Sequence, residues 1–429
     1  MAFAMARNDF HRHSSFATAG LLAALVNAHA PKPRYEVIDV GTLGGGYTYG
    51  YGLNNAGAVV GGAATPTQTD GFAQTAFVWR EGRIHSLGTL GGAACPECSS
   101  EGSGITGGNV IAVISETANI DPNGQDFCGF QTHRQCLGAV WQNGGLNPLP
   151  PLPGGYNSQA YSINNRNEIA GLSDTGVPDT TCAVPFQVTR FVGVIWDAQR
   201  NPRPLKPLPG DNVSFAFGIN DDGEAVGVSG LCSNTTLPPN GPPGGPHAVL
   251  WEKDGTPRLI ETSSLGAPVH GNNVATSITD RGEVGGTALL VDGTIHSFLW
   301  RHGHIRDLGT LPGDFATIAG CCGTVNNRGD VVGFAFPGPR GIGHAIAWLD
   351  DNGPVDLNDL IPDDSGYYLV NTGGINDAGE IVAGAFKDGQ MRAVRLRPMR
   401  RPAPHVSAPA PAGPGVAVNL PKYPGHRGQ

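Results

Sequence analysis

Three features of this 429-residue chain predict an all-β repeat fold. All six tryptophans stand in one recurring position: Phe77-Val78-Trp79, Ala139-Val140-Trp141, Val194-Ile195-Trp196, Val249-Leu250-Trp251, Phe298-Leu299-Trp300 and Ile346-Ala347-Trp348. A second marker, of the type Gly52-Leu53-Asn54-Asn55-Ala56-Gly57, occurs seven times. The composition, with 65 glycines and 35 prolines, is rich in turn formers and poor in helix formers. Self-similarity at a period of about 50 residues marks a stacked or circular architecture, in which each unit closes its core only against its neighbours.

The unit can be read element by element. The apolar residues of the marker are Leu53, Ile105, Ile163, Ile219, Ile278, Val325 and Ile375, spaced by 47 to 59 residues, so loops of variable length sit on a constant frame. Four residues further on stand Gly57, Asn109, Asn167, Gly223, Gly282, Gly329 and Gly379. These residue types accept a left-handed backbone at least cost, as the last position of a tight hairpin turn requires. A β-rich run follows, such as Val59-Val60-Gly61, then a long polar loop and the tryptophan strand. That strand turns at Gly82, Gly144, Gly255, Gly303 or Gly353 into a fourth run of form L-x-x-L, as in Leu87-Gly88-Thr89-Leu90 and Leu308-Gly309-Thr310-Leu311. Each unit therefore reads as four short antiparallel strands, a to d, with tight a–b and c–d turns and long b–c and d–a connections.

Four-stranded sheets repeated about an axis are β-propeller blades. The residue before each marker is Gly52, Gly104, Ser162, Gly218, Ser277, Thr324 or Gly374, small as an innermost strand crowded by its neighbours requires. The seventh unit has strands a to c, ends at Ala393-Val394-Arg395-Leu396, and lacks a fourth. The missing strand precedes the first marker, in Tyr35 to Leu43. The expectation is a seven-bladed β-propeller closed by pairing of this N-terminal strand with the last blade, because an open solenoid would leave an unpaired strand edge at each end.

The pattern resembles the HAF family of bacterial extracellular repeat proteins, named for a His-Ala-Phe triplet before the tryptophan. Here the triplet appears as His247-Ala248-Val249, His296-Ser297-Phe298 and His344-Ala345-Ile346, alongside G-T-L-G-G and I-N-D-x-G elements, over residues 35 to 396. The resemblance implies an extracellular propeller and no particular reaction.

Residues 1–30 carry Arg7 and Arg12, an apolar stretch from Phe16 to Val26, and Ala28-His29-Ala30, the layout of a cleaved signal peptide. The propeller is expected over 31–396, and no segment is long and apolar enough to be a membrane span. Residues 397–429, Pro-, Ala- and Gly-rich with five basic and no acidic side chains, read as a disordered basic tail. Residues 35–396 hold 18 basic and 35 acidic side chains, a net charge of −17. A ring that acidic disfavours nucleic acid, whose binding rests on cationic neutralisation of phosphates.

All eight cysteines, Cys95, Cys98, Cys128, Cys136, Cys182, Cys232, Cys321 and Cys322, fall in b–c or d–a connections and hence on one face. An even count in long loops behind a signal peptide favours disulfides. Cys128 with Cys136 would close an insertion of blade 2, and Cys182 with Cys232 would join corresponding loops of blades 3 and 4. The competing reading is a zinc site of Cys95, Cys98, Cys128 and Cys136.

Asp121-Pro122-Asn123-Gly124-Gln125-Asp126 starts like a calcium loop, but Thr132 stands where the bidentate Glu belongs, and an Asx turn is the simpler reading. His247, His296 and His344 recur at the start of strand c and read as capping or hydrogen-bonding residues. Asp211 and Asp314 occupy equal positions in Leu-Pro-Gly-Asp runs, where Glu116, Asp126 and His270 from neighbouring loops would join them around the channel mouth. No G-x-S-x-G, H-E-x-x-H, P-loop or dinucleotide fingerprint occurs. The expected function is therefore a secreted, periplasmic or surface-bound monomer that uses no cofactor or metal and binds a protein or glycan on its disulfide-braced loop face. The alternative is a polysaccharide hydrolase or lyase using the channel-mouth carboxylates; a metal-dependent enzyme built on His270 and His133 comes third.

Overall fold

The computed structural model describes residues 34–69, 71–182, 187–234, 245–267, 271–320, 323–338 and 341–399. The expected signal peptide, nearly all of the expected tail, Cys321, Cys322 and His270 lie outside the described residues. The described residues form five four-stranded antiparallel sheets and one of eight strands. The larger sheet is two four-stranded units joined by a single parallel bridge, Ile295 to Ala316. The first unit runs Thr48–Leu53, Val59–Ala63, Thr75–Arg80 and Arg83–Gly88, strands a to d in sequence order. These are β-propeller blades.

In the last unit, strands Tyr368–Ile375, Ile381–Lys387 and Gln390–Pro398 are completed by Tyr35–Asp39, whose residues pair antiparallel from Tyr35 with Pro398 to Asp39 with Val394. Strand c thus runs two residues past the boundary expected at 396, and Arg397 there binds Glu36 at 2.5 Å. The L-x-x-L runs mark the end of strand d: Leu87 and Leu205 are its last or next-to-last residues in units 1 and 3, and the rest of each run is its exit. In unit 5 the strand stops at Asp307, and in unit 6 Leu357–Leu360 is a 3-10 turn whose first amides are capped by Asp356. The first leucine of such a run is instead a core residue, as Leu308 and Leu357 are.

The seven turn residues read as left-handed all have positive φ, from 61° at Asn109 to 86° at Gly223. The small residue before the marker sits where neighbouring innermost strands meet: a Cβ on Gly52 would lie 3.1 Å from the Ser103 carbonyl, and one on Gly374 3.1 Å from that of Gly323. Apolar cores lie between successive units. One joins Val59, Phe77 and Trp79 of unit 1 to Val382 and Ala393 of unit 7. The indole N–H groups of Trp196, Trp251 and Trp348 donate to carbonyls of the preceding unit, Pro150, Lys206 and Leu308, at 2.6 to 2.8 Å.

The marker asparagines do more than shape their own turns. Asn54 Oδ1 accepts the amides of Ala56 and Ala58, while its Nδ2 donates to the Thr106 carbonyl of the next unit at 2.9 Å. Asn164, Asn220, Asn326 and Asn376 reach forward in the same way, the last to the Asn54 carbonyl at 3.0 Å. Units 2 and 5 carry Thr106 and Thr279 there, which have no amide to donate. Those junctions are bridged one residue on, by Gly107 N–H to Asn165 Oδ1 and Asp280 N–H to Asn327 Oδ1, both at 3.0 Å. The turn face therefore carries a hydrogen bond from every unit to the next, including the seventh to the first.

Candidate functional site: the loop face

The b–c and d–a connections lie at the opposite ends of the strands from these turns. Three disulfides brace them: Cys95–Cys98, Cys128–Cys136 and Cys182–Cys232, with Cα separations of 5.3, 5.9 and 4.6 Å. The second closes the unit 2 insertion and the third joins units 3 and 4. The four sulfurs of the zinc alternative are thus committed to two disulfides.

The loop-face carboxylates are built inward. Glu116 is 1% exposed; its Oε2 accepts the Ser99 amide at 2.7 Å and its other oxygen the Thr132 hydroxyl. Burial pushes this carboxyl above its usual range, against the pull of those donors. Asp126 is 4% exposed and takes the Gln131 amide on both oxygens, at 3.0 and 3.1 Å; burial raises it too. Asp121 closes an Asx turn, accepting the amides of Asn123 and Gln125 at 2.8 and 2.9 Å, and shares the buried Asn157 amide with Asp174. Among the described residues, no group of three or more His, Cys, Asp or Glu side chains is arranged to hold a metal ion.

Asp211 and Asp314 each meet the recurrent histidine of their own blade. Asp211 Oδ2 accepts the Ser229 hydroxyl at 2.6 Å and faces His247 Nδ1 at 3.1 Å. Asp314 Oδ2 lies 3.3 Å from His344 Nε2, near enough for an ion pair but without hydrogen-bond geometry. Burial raises the Asp314 carboxyl, with His344 opposing. His296 pairs with Asp307 on strand d at 2.9 Å instead. The hydrogen bond to the carboxylate raises both His247 and His296 above the ordinary imidazole value. The two aspartates therefore act within separate blades, as staples between the entrance of strand a and the start of strand c. Glu116 and Asp126 are electrostatic neighbours in unit 2.

Sequence reasoning missed the feature that most distinguishes this face. Phe72, Ile120, Tyr156, Val177, Leu231, Val291, Phe315, Ile342, Tyr368 and Phe386 are exposed, Ile120 by 62% and Val291 by 76%. These ten lie in b–c or d–a connections or at the strand ends beside them, spread over all the four-stranded units, whereas the eleventh exposed large apolar residue, Met399, follows strand Gln390–Pro398. The signal was present as isolated apolar residues in polar loops, but exposure cannot be read from a single side chain's type.

Fold and faces together define a β-propeller protein with a disulfide-braced loop face and a hydrogen-bonded turn face. No family model matches the chain, and no curated protein is significantly similar to it. Among solved structures it is similar to Pyrococcus horikoshii acylaminoacyl peptidase, at 10% identity and TM-score 0.48, over 83% of this chain and 53% of that one. TolB from Acinetobacter baumannii matches at 9% identity and TM-score 0.39, over 79% of this chain and 65% of that one. Trypanosoma rangeli sialidase in complex with sialic acid matches at 10% identity and TM-score 0.38, over 82% and 54%. The chain thus spans between about half and two thirds of the length of these three. Among the described residues no helix is long and apolar enough to cross a membrane.

Proposed function

We propose that the chain is a secreted, seven-bladed propeller of the HAF type, closed by its N-terminal strand, whose loop face binds a protein partner. The observation that carries the binding reading is the concentration of exposed large apolar side chains on that face, ten of the eleven among the described residues, with Met399 the exception. Apolar groups exposed together on one side of a soluble fold mark an interaction surface, and loops on a rigid frame are where specificity is built. Closure is supported by the pairing of Tyr35–Asp39 with the last unit and by the Asn376 and Asp377 bonds to the first marker. Three disulfides fit an oxidising compartment.

The alternative, carbohydrate cleavage by carboxylates, is less well supported by the geometry. A catalytic pair needs two carboxyl groups facing one bond, whereas Asp211, Glu116 and Asp126 accept from donors of their own blades and Asp314 faces the histidine of its own. Glycan arrays and displayed peptide libraries, probed with the native protein and with an Ile120→Lys, Val291→Lys, Ile342→Lys variant, test the reading. Binding lost in the triple variant supports it. Turnover of a polysaccharide by the native protein, abolished by Asp211→Asn or Asp314→Asn, overturns it in favour of the enzyme.

A further inference from the structure

Five a–b turns place an acid directly after the left-handed residue: Glu168, Glu224, Glu283, Asp330 and Glu380. Four of them hold an arginine. Arg166 meets Glu168, Arg301 meets Glu283 and Arg328 meets Asp330, all at 2.8 Å, and Arg395 meets Glu380. Each guanidinium covers the turn glycine of the next unit, Gly223, Gly329, Gly379 and Gly57 respectively. A Cβ built on Gly223, for instance, would lie 2.7 Å from Arg166 Nη2 and 3.5 Å from Glu168 Oε2.

The fifth junction, between units 4 and 5, keeps the acid and loses the base. A Cβ on Gly282 would lie 3.6 Å from Glu224 Oε2, in the same relation, and no guanidinium of unit 4 covers it. Of the three positions from which other units send an arginine, two are acidic here and the third, equivalent to Arg395, is Leu250. Asp222 stands where Arg166 and Arg328 stand in their turns, and Glu252 follows Trp251 as Arg301 follows Trp300. The space left is a cavity of about 370 Å³ bounded by Asp222, Glu224, Glu252 and Asp280, with Leu250 and Trp300 as its apolar lining. Among the described residues Glu224 has no ion-pair partner; its Oε2 accepts the Asn220 amide at 2.9 Å. Arg258, Arg281 and His302 also border the cavity; the Arg258 guanidinium lies over the Trp300 ring at 5.6 Å and 3.9 Å from Glu252, and among the described residues no basic group forms an ion pair with Asp222 or Glu224.

We propose that this slot binds a guanidinium supplied from outside the fold, the side chain of an arginine on a partner polypeptide. The four sister junctions show the recognition in miniature: a carboxylate pairs with the guanidinium, through two N–H groups for Arg166 and Arg328, and the guanidinium covers the neighbouring turn glycine where no Cβ obstructs it. Arginine suits such a planar, bidentate site better than lysine. The site lies on the turn face and stands or falls separately from the loop-face reading.

Titration calorimetry with N-acetyl-arginine methylamide tests it, with the uncharged citrulline analogue as control. The native protein should give saturable, one-to-one binding of the arginine compound and none of the citrulline compound. Glu224→Gln should weaken binding about tenfold or more, the loss expected for a hydrogen bond to a charged group. Asp222→Arg, which recreates the sister arrangement internally, should abolish binding without lowering the melting temperature. Absence of saturable binding, equal binding of the citrulline compound, or undiminished binding in Glu224→Gln would each overturn the proposal. If Asp222→Arg does not fold, the Glu224→Gln and citrulline arms still decide it.

Discussion

Asn376 shows how much a single side chain carries. Its Oδ1 accepts the amides of Ala378 and Glu380 at 3.0 and 2.9 Å, its Nδ2 donates to the Asn54 carbonyl at 3.0 Å, and the residue is 4% exposed. Asn376→Ala strands buried backbone groups and should cost about 2–4 kcal/mol in denaturant unfolding. Asn376→Thr, the residue type that units 2 and 5 use, keeps turn-capping acceptors and loses the bridge, so about 1 kcal/mol is expected. The histidine staples give a pH signature. His247 has a folded pKa above its unfolded value because it pairs with Asp211. Its contribution is therefore fully present below pH ~6.5 and is lost as pH rises through the raised value. Melting curves of the native protein and His247→Gln should differ most in mildly acidic buffer, by about 1 kcal/mol, and converge as the buffer becomes alkaline. A difference that instead grows with pH would contradict the pairing.

The loops and strands depend on one another for order. The Cys182–Cys232 disulfide spans 50 residues and ties the b–c loops of units 3 and 4 over a cluster that includes Ile114, Phe127, Phe191 and Val213. Replacing both cysteines by serine should lower stability by about 2–4 kcal/mol, more than opening the Cys128–Cys136 loop of eight residues, because closure entropy grows with loop length. Thermal unfolding of the two double variants, with thiol alkylation confirming the bonds, checks the order. The pairings of these two bridges were legible in the sequence, because both members fell in facing loops. Cys95–Cys98 was not, because the same spacing serves zinc. The extent of strand d was also overread, since it covers at most the first two residues of an L-x-x-L run. L-x-x-L looks like a strand by alternation over so short a run, yet Leu308 and Leu357 are core residues at its exit, and burial rather than β-periodicity selects them.

For the molecule as a whole, the period of the tryptophans and markers made the all-β class, the four-stranded antiparallel units and the propeller-like fold readable before any coordinates. What stayed hidden were partners that only the folded packing brings together. Glu116 and Asp126 were expected to surround an open channel mouth, as charged side chains in loops ordinarily face water. The packing of the unit 2 insertion buries them and turns them onto Ser99, Thr132 and Gln131. The forward reach of each marker asparagine was likewise invisible, since its acceptor lies about one unit away in sequence. The bond from Asn376 to the Asn54 carbonyl depends on the first and last units being neighbours, latched by residues 35 to 39. Thermal unfolding of a variant lacking residues 31–45 tests that claim most directly, with hydrogen exchange read at Gln390–Pro398 and at Thr48–Leu53. The latch predicts a markedly lower melting temperature and lost protection in both segments, because the last sheet is left with an open edge. A deletion variant that melts with the parent and keeps both segments protected would contradict it.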